Sequence, residues 1–165
     1  MSDEALKQIE LVAFDIDGTL TDATTSWLGP EIGWTQRYST RDGEAILSLV
    51  RAGIQVAPLS RNRTECARVR MTALGLPLYA LGVADKLLAV RDLSAQLNVP
   101  LDRVCYIGDG AEDAAVFGLV AVGCAVADAH PLAREAAMIS TKARGGERAF
   151  EELAHEILRA KGALS

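Results

Sequence analysis

Short apolar runs and longer stretches of helical periodicity alternate along most of the chain. The apolar runs lie at residues 11–14, 54–59, 78–81, 104–107, 119–125 and 138–140. Their length and aliphatic content predict strands, most of them buried. The helical stretches lie at about 41–52, 62–74, 84–97, 114–118 and 148–161, with one more helix after Pro131. This alternation is typical of an α/β protein with a doubly wound, mostly parallel, Rossmann-like sheet, here predicted as a single domain over residues 1–165.

The segment at about 22–40 interrupts this alternation, because it has no helical period. Its arms are rich in Thr, Ser and Trp, and Pro30 and Gly33 lie between them, which predicts a small β-hairpin. An isolated hairpin is only marginally stable in water, so Trp27 and Trp34 on its arms are expected to pack on a partner. That partner is either the protein's own domain or another subunit, and the sequence leaves both open.

Composition excludes several classes of protein. Of the 165 residues, 50% are hydrophobic and 24% are charged, which predicts a globular protein with a sizeable core. The net charge is −5 and both signs are interspersed, so no nucleic-acid footprint is expected. No apolar run approaches the ~20 residues that span a bilayer, and the acidic first residues do not resemble a signal peptide. Cys66, Cys105 and Cys124 lack metal-site spacing, so we expect free thiols in a cytoplasmic protein.

Two carboxylates follow the first predicted strand. Asp15 and Asp17 are one residue apart, and Gly18 frees the backbone to turn after them. Residues two apart in an extended chain lie on one face, so these carboxylates are expected to converge. Close carboxylates repel each other unless a cation lies between them. The pattern predicts a metal-assisted phosphoryl-transfer site, although a lone Asp-x-Asp-Gly segment is also common in ordinary turns.

Further polar residues lie where other predicted strands end or helices begin. Ser60 follows the second strand, Lys86 lies in the first turn of a helix, and Asp109 and Asp113 follow the strand at 104–107. A lysine is mildly disfavoured near a helix N-terminus, so Lys86 is expected to face an anion. Because the carboxyl ends of parallel strands share one edge of a sheet, we expect these side chains to meet in one crevice.

This combination fits phosphoryl transfer through an aspartyl-phosphate, a covalent route that splits one difficult step into two. A lysine and a serine hydroxyl can hold the phosphoryl oxygens. Mg²⁺ prefers oxygen ligands and takes one or two carboxylates, here Asp15 and Asp109, with the backbone carbonyl of Asp17 as a further ligand. The side chain of Asp17 is then left to act as general acid and general base.

These residues resemble the motifs of the haloacid dehalogenase (HAD) superfamily phosphatases. The motifs are Asp15-x-Asp17-Gly18-Thr19, Ser60, Lys86 and Gly108-Asp109-Gly110-x-x-Asp113. The resemblance covers essentially the whole chain, and four motifs in this order are highly specific. It implies Asp15 as nucleophile, Asp17 as acid and base, Ser60 and Lys86 as phosphate ligands, Asp109 as a ligand of Mg²⁺, and Asp113 as a support for Lys86 or the metal.

The segments between the motifs are too short for a cap domain. The hairpin and residues 41–43, 82–86, 126–131 and 144–146 resemble the capless group that dephosphorylates 3-deoxy-octulosonate 8-phosphate (KDO 8-phosphate) and nonulosonate 9-phosphates. Members of that group resemble one another as homotetramers whose hairpins pack together, so that a neighbouring subunit closes each active site. The resemblance implies an acidic sugar phosphate substrate, with contacts at Gly18, Arg61 and Arg70. For Arg70, a solvated arginine on a helix face is the alternative.

The chain departs from the group pattern in places. Ser60 is followed by Arg61-Asn62, where the group usually has Gly-Arg or Gly-Glu, and these positions help to set sugar specificity. Gly110 stands where a second Asp is common. Residues 145–146 belong either to the group pattern or to a flexible segment that precedes the last helix. The sequence therefore leaves the particular sugar open.

Two other functions compete with a phosphatase. A response-regulator receiver also combines aspartates, a lysine and Mg²⁺ in a doubly wound sheet, but receivers carry the acceptor Asp on a middle strand after an early acidic pair. The other alternative is a HAD-fold protein with weak or lost turnover that acts as a binding partner in sugar-nucleotide synthesis. The altered residues 60–62 favour this alternative, whereas Asp15, Asp17, Lys86 and Asp109 oppose it.

Overall fold

The structure, a computed structural model, describes residues 2–163. Within this range the strands are β1 (Leu11–Phe14), β2 (Ser26–Trp27), β3 (Trp34–Thr35), β4 (Gln55–Ser60), β5 (Ala80–Leu81), β6 (Val104–Gly108), β7 (Val122–Ala125) and β8 (Ile139–Ser140). The helices are α1 (Ser2–Lys7), α2 (Thr40–Arg51), α3 (Glu65–Ala73), α4 (Lys86–Leu97), α5 (Asp113–Phe117), α6 (Pro131–Ala136) and α7 (Ala149–Ala160). None of these helices is long and apolar enough to cross a membrane. The predicted domain also includes Met1, Leu164 and Ser165, which lie outside the described residues.

Six strands form one parallel sheet in the order β5-β4-β1-β6-β7-β8. β1 lies in the middle, where it pairs with β4 on one side and with β6 on the other. All four residues of β1 are fully buried, as expected for an apolar parallel strand that is covered on both faces. The prediction of a doubly wound, mostly parallel sheet is confirmed.

Helices cover both faces of this sheet. The ring of Phe14 in β1 packs edge-on against Phe150 of α7, with the centroids 5.4 Å apart. Tyr106 of β6 packs against Phe117 of α5 at 5.9 Å. Phe14 pairs in register with Ile107, the residue after Tyr106, and consecutive residues of a strand point to opposite faces. α7 therefore lies on one face beside α1 and α2, and α5 lies on the other beside α4 and α6.

The hairpin of β2 and β3 is present within the predicted segment. Trp27 and Trp34 are paired across its two antiparallel strands, with their ring centroids 5.3 Å apart. The two indoles remain 54% and 57% exposed, and Leu28 and Ile32 beside them are also exposed. The protein's own domain therefore leaves this apolar surface largely uncovered. The hairpin is the only element between β1 and α2, which confirms the prediction that no cap domain is inserted there.

Side-chain caps explain why several helices start at positions that periodicity did not predict. Ser39 caps α2, Thr64 caps α3 and Asp85 caps α4, and each accepts a hydrogen bond from a backbone N–H of the first turn. α3 and α4 consequently begin two or three residues later than their apolar spacing indicated. β5 and β7 are also shorter than predicted, and α1 was not predicted at all.

Asp42 does not cap α2, although an aspartate near a helix start is often the N-terminal cap. It lies inside the first turn of that helix and is buried. Its Oδ1 accepts a hydrogen bond of 2.9 Å from the backbone N–H of Glu151, in the first turn of α7. Asp42 thus caps a helix distant in sequence, which local patterns cannot reveal. Burial raises the pKa of this carboxyl group.

Candidate active site

The carboxyl ends of β1, β4 and β6 lie next to one another at one edge of the sheet. Asp15 follows β1, Ser60 is the last residue of β4, and Asp109 follows β6. Lys86, the first residue of α4, reaches Asp15 at the same edge. The parallel topology therefore gathers side chains from four separate parts of the sequence, as the strand-end pattern predicted.

A tight turn follows Asp15. The carbonyl of Ile16 accepts backbone hydrogen bonds from residues 19–21, at 3.0 to 3.2 Å. Gly18 lies in this turn with φ of +77°, a conformation that glycine adopts without strain. A Cβ at Gly18 would also lie 2.2 Å from Oδ2 of Asp109. Both the backbone angle and the close approach of Asp109 therefore require glycine here.

Lys86 joins two carboxylates. Its Nζ donates hydrogen bonds of 2.7 Å to Oδ2 of Asp15 and 2.7 Å to Oδ1 of Asp113. The lysine is only 4% exposed. Burial alone would lower the pKa of Lys86, but the two carboxylates raise it above its usual value, so the side chain stays charged. This explains why a lysine occupies the first turn of a helix.

The carboxylate of Asp113 accepts four hydrogen bonds. Its Oδ1 also accepts from the hydroxyl of Tyr106 at 2.7 Å, and its Oδ2 accepts from the backbone N–H groups of Asp109 at 3.0 Å and Gly110 at 2.8 Å. A Cβ on Gly108 would lie 2.5 Å from Cγ of Asp113, so this carboxylate can reach its position only beside a glycine. Asp113 is fully buried and has little acceptor capacity left for another ligand.

Asp15, Asp109 and Asp113 form an acidic cluster in which one carboxylate oxygen of each lies within 4.8 Å of the others. Burial, together with the charges of Asp15 and Asp113, raises the pKa of Asp109 to about 7. Burial also raises the pKa of Asp15, against the attraction of Lys86. Three carboxyl groups beside one ammonium group leave negative charge that a bound cation would neutralise. Because the oxygens of Asp113 are already used, Asp15 and Asp109 are the carboxylates that fit a hard divalent cation.

Asp17 does not join this cluster. Its two oxygens each lie 3.0 Å from Nδ2 of Asn62, and Nε2 of Gln36 donates a further hydrogen bond to Oδ1. Strand alternation predicted that Asp15 and Asp17 converge, and the acidic cluster instead contains Asp113. The reason is that β1 ends at Phe14, so the chain is no longer extended at Asp17.

Ser60 is buried beside Asp15. Its hydroxyl accepts a hydrogen bond of 3.2 Å from the backbone N–H of Asn62. Burial raises the pKa of Asp15, and Ser60 offsets a small part of that rise. The backbone carbonyl of Ser60 accepts from Gly82 and Val83, which holds the end of β4 to the loop before α4.

The two arginines predicted to contact substrate lie in different surroundings. Arg61 is at the exposed rim, where its guanidinium pairs with Glu112 at 3.1 Å. Arg70 is half-buried and lies 5.9 Å from the centroid of the Tyr38 ring. A Cβ on Gly43 would lie 2.5 Å from Nη2 of Arg70. Arg70 is therefore packed between α2 and the segment after the hairpin, unlike a solvated arginine on a helix face.

Gly145 and Gly146 pack directly on the turn that follows Asp15. A Cβ on Gly145 would lie 1.8 Å from the carbonyl oxygen of Gly18, and the N–H of Gly146 donates to the carbonyl of Thr19 at 2.9 Å. Oδ1 of Asp128 accepts from the N–H of Gly145 at 3.0 Å. The interpretation of these glycines as a flexible segment is therefore wrong.

Sequence reasoning missed Gln36 and Tyr106 as members of this site. Gln36 follows β3 of the hairpin, and Tyr106 lies inside β6. Gln36 follows a strand of the hairpin and not of the parallel sheet, and neither residue belongs to a motif, so only the folded chain brings them to Asp17 and Asp113.

Comparisons with known proteins agree with this geometry. A family model for haloacid dehalogenase-like hydrolases matches residues 78–144. The 3-deoxy-D-manno-octulosonate 8-phosphate phosphatase KdsC of Haemophilus influenzae is 35% identical over 164 residues, which cover 98% of this chain and 89% of that protein.

Two solved structures are similar over nearly the whole chain. The cobalt-bound form of the deoxy-D-mannose-octulosonate 8-phosphate phosphatase (YrbI) from Haemophilus influenzae has a TM-score of 0.89 at 35% identity, with 96% of this chain and 92% of that chain covered. The 3-deoxy-D-manno-octulosonate 8-phosphate phosphatase of Moraxella catarrhalis was solved with a magnesium ion, a phosphate ion and a KDO molecule. It has a TM-score of 0.92 at 28% identity, with 97% and 91% covered.

The fold, the acidic cluster and these similarities define an enzyme, a phosphoric monoester hydrolase. The chain belongs to the haloacid dehalogenase-like hydrolases. Its predicted resemblance to the capless KDO 8-phosphate phosphatases is confirmed. The alternative of a phosphate-accepting receiver module is wrong.

Proposed function

We propose that this protein hydrolyses the phosphate monoester of an acidic sugar, of the KDO 8-phosphate or nonulosonate 9-phosphate type. The observation that carries the proposal is the buried Lys86, which joins Asp15 and Asp113 beside Asp109 at the carboxyl edge of the sheet. The named activity of the relative from Haemophilus influenzae supports the choice of sugar.

In the first step, a carboxylate oxygen of Asp15 attacks phosphorus. The bond from phosphorus to the sugar oxygen breaks, and that oxygen takes a proton from the carboxyl group of Asp17. Lys86 and the hydroxyl of Ser60 hold the non-bridging oxygens, over which negative charge is spread in the transition state. Asp113 keeps Lys86 in place through the 2.7 Å hydrogen bond.

In the second step, water attacks phosphorus of the aspartyl-phosphate and gives a proton to the carboxylate of Asp17. The bond between phosphorus and the Asp15 oxygen breaks, so that inorganic phosphate leaves and both aspartates regain their starting forms. Asp17 therefore acts as acid and then as base. Its position outside the acidic cluster leaves it available for both roles.

Mg²⁺ is the cofactor that we assign to the site, held by Asp15, by Asp109 and by the backbone carbonyl of Asp17. When bound, this ion neutralises negative charge on the phosphoryl oxygens. EDTA is expected to stop phosphate release, and added Mg²⁺ is expected to restore it. Turnover that persists after complete removal of divalent ions would contradict the assignment, and titration with Co²⁺ and Mn²⁺ distinguishes Mg²⁺ from other activating ions.

The sugar carboxylate requires positive charge near the site, and Arg61 and Arg70 are the residues that we assign to it. Arg61 lies exposed at the rim, and the guanidinium of Arg70 lies over the ring of Tyr38. We also assign the backbone at Gly18, which lies against the carboxylate of Asp109, to contact the phosphate.

We further propose a homotetramer in which the exposed hairpin packs on neighbouring subunits and closes their active sites. The uncovered surface of Trp27, Leu28, Ile32 and Trp34 supports this assembly. The three cysteines are free, which is consistent with a cytoplasmic protein.

The decisive experiment measures free phosphate after incubation of the protein with KDO 8-phosphate, nonulosonate 9-phosphate and a neutral hexose 6-phosphate. We expect release from an acidic sugar phosphate to exceed release from the hexose phosphate, and Asp15→Asn to abolish it. The far-ultraviolet circular dichroism of this variant should match the parent protein. If wild-type turnover does not exceed that of Asp15→Asn, the alternative of a binding protein without turnover is correct.

A further inference from the structure

The carboxylate of Asp17 is held by neutral amides. Nδ2 of Asn62 lies 3.0 Å from each of its oxygens, and Nε2 of Gln36 donates to Oδ1. Among residues 2–163, the ion pairs in the site join Lys86 to Asp15 and to Asp113, not to Asp17. Asp17 is therefore fixed in direction by hydrogen bonds from amides and not by an ion pair.

The orientation of the Asn62 amide is determined by its other contacts. Its Oδ1 accepts hydrogen bonds from the backbone N–H of Thr64 at 2.8 Å and from the Thr64 hydroxyl at 2.7 Å. A backbone N–H can only donate, so the carbonyl oxygen of Asn62 must face Thr64. The NH₂ group must then face Asp17. Asn62 is 8% exposed, which limits competition from water.

The Gln36 amide is oriented in the same way. Its Oε1 accepts from the hydroxyl of Tyr38 at 3.3 Å and from Nδ2 of Asn62 at 3.2 Å. Burial raises the pKa of Tyr38, so its hydroxyl keeps the proton that it donates. With two donors facing its oxygen, Gln36 must turn its NH₂ group to Asp17. Gln36 directly follows β3, so this hydrogen bond ties the hairpin to the catalytic carboxylate.

We propose that Gln36 and Asn62 are positioning residues that hold the carboxyl group of Asp17 where it delivers its proton to the departing sugar oxygen. This inference rests on the acid role of Asp17 in the proposed function. As the bond from phosphorus to the sugar oxygen breaks, the proton moves from Asp17 to that oxygen and Asp17 becomes a carboxylate. The amide N–H groups then donate to the carboxylate that has formed, without moving.

The dependence of turnover on the leaving group tests this inference. A sugar alkoxide is a strong base and needs the proton of Asp17, whereas p-nitrophenolate is a weak base and leaves without one. Gln36→Met keeps the length of the side chain and removes the donor. We expect kcat/KM to fall about 10-fold to 100-fold for KDO 8-phosphate but less than about threefold for p-nitrophenyl phosphate, since a positioned acid contributes roughly 10²-fold to 10⁴-fold.

Two further variants complete the design. Gln55→Met is the matched control, because Gln55 is exposed at the start of β4 and its amide donates to the carbonyl of Leu97. It should leave both rates unchanged. Tyr38→Phe keeps the ring beside Arg70 but removes a hydrogen bond that orients Gln36, so it should shift the ratio of the two rates in the same direction by a smaller factor.

The outcomes distinguish a failure of this inference from a failure of the proposed function. Equal losses on both esters in Gln36→Met would indicate a purely structural role and would overturn the inference, as would unchanged rates on both. A wild-type protein that releases phosphate from neither ester would overturn the proposed function, and the inference with it. We expect Gln36→Met to lower kcat/KM for KDO 8-phosphate much more than for p-nitrophenyl phosphate, and Gln55→Met to keep normal rates on both esters.

Discussion

Asp113 decides the geometry of the site although no substrate atom needs to touch it. Its two oxygens accept from donors on opposite sides: Lys86 and Tyr106 on one side, and two backbone N–H groups on the other. An asparagine amide cannot satisfy this arrangement in either orientation, because its NH₂ group would always face donors.

Asp113→Asn is therefore expected to be severe. Removal of one member of a buried ion pair typically costs about 3–5 kcal/mol. We expect the free energy of unfolding in urea to fall by roughly 3 kcal/mol, and phosphate release to fall with it as Lys86 loses its orientation. Asp92→Asn, an exposed carboxylate on α4, should change neither quantity appreciably. Stability within about 0.5 kcal/mol of the parent in Asp113→Asn would contradict this role.

The raised pKa of Asp109 predicts how the stability of the metal-free protein varies with pH. Burial beside Asp15 and Asp113 raises its pKa from 3.8 to about 7. A carboxyl group with a raised pKa binds its proton more tightly when the protein is folded, so its stabilising effect is complete below its unfolded pKa and is lost as pH rises through the folded pKa. We therefore expect the free energy of unfolding, measured with urea in the presence of EDTA, to fall between about pH 4 and pH 7. The expected decrease is on the order of 1 kcal/mol or more.

Asp109→Asn isolates this effect, because the raised pKa values of Asp15 and Asp42 act in both proteins. The variant should be more stable than the parent near neutral pH without metal, and its stability should vary less with pH. Mg²⁺ should stabilise the parent protein more than the variant. An identical dependence on pH in the two proteins would show that Asp109 is not the group responsible.

Among the elements, the loop before α7 packs directly on the turn that follows Asp15. Gly145 lies against the carbonyl of Gly18, and its backbone is not in the left-handed region, so the close contact alone excludes a side chain. Asp128 fixes this loop through the N–H of Gly145, and its other oxygen pairs with Arg144. The position of the turn after Asp15 thus depends on a loop that follows it by more than 120 residues in the sequence.

Gly145→Ala is expected to displace the turn that carries Asp17. Overpacking of this kind typically costs about 1–3 kcal/mol. A displacement of about 1 Å can lower turnover by roughly 10²-fold, so kcat should fall far more than stability alone would explain. Gly118→Ala is the control, since a Cβ there would make only an ordinary 3.6 Å contact. If kcat of Gly145→Ala stays within about twofold of the parent, the loop does not position the turn.

At the scale of the whole molecule, the exposed apolar surface of the hairpin is the feature that indicates a partner. Burial of a large apolar side chain contributes about 1.5–3 kcal/mol, and four such side chains lie together on this hairpin. Trp27→Ser combined with Trp34→Ser should dissociate the proposed tetramer without unfolding the subunit, because both side chains are already exposed in the subunit. Light scattering coupled to size-exclusion chromatography measures this, and Val69→Ser on α3 is the exposed apolar control. Assembly that survives the double variant would place the interface elsewhere.

Much of the fold was predictable because its signals are local. The strands of the sheet coincide with short apolar runs of the sequence. Because the sheet is parallel, the strand ends at Asp15, Ser60 and Asp109 lie at the same edge. Helix starts were less predictable, since capping depends on single side chains such as Thr64. The cap that Asp42 provides to α7 joins distant parts of the chain, so no periodic pattern in the sequence indicates it.

The site was predictable only where a residue follows a strand or begins a helix. Lys86 and Asp113 are of this kind, and the structure brings them together. The contacts of Asp17 could not be predicted from the sequence, because they depend on where β1 ends and on how the hairpin folds back onto the site. The tight packing of Gly145 likewise becomes visible only in three dimensions.

The central place of β1 has a consequence for how the protein is made. β1 is the first strand of the sheet to leave the ribosome, yet its two neighbours begin only at Gln55 and Val104. From the synthesis of β1 until β6 has emerged, the nascent chain carries a wholly apolar strand with at least one unpaired edge. Such long-range pairing is slow and exposes chains to aggregation while it is incomplete. We therefore expect the aggregation risk from this strand to be high during synthesis, and catalytic competence can arise only after β6 has emerged, because Asp109 and Asp113 follow it.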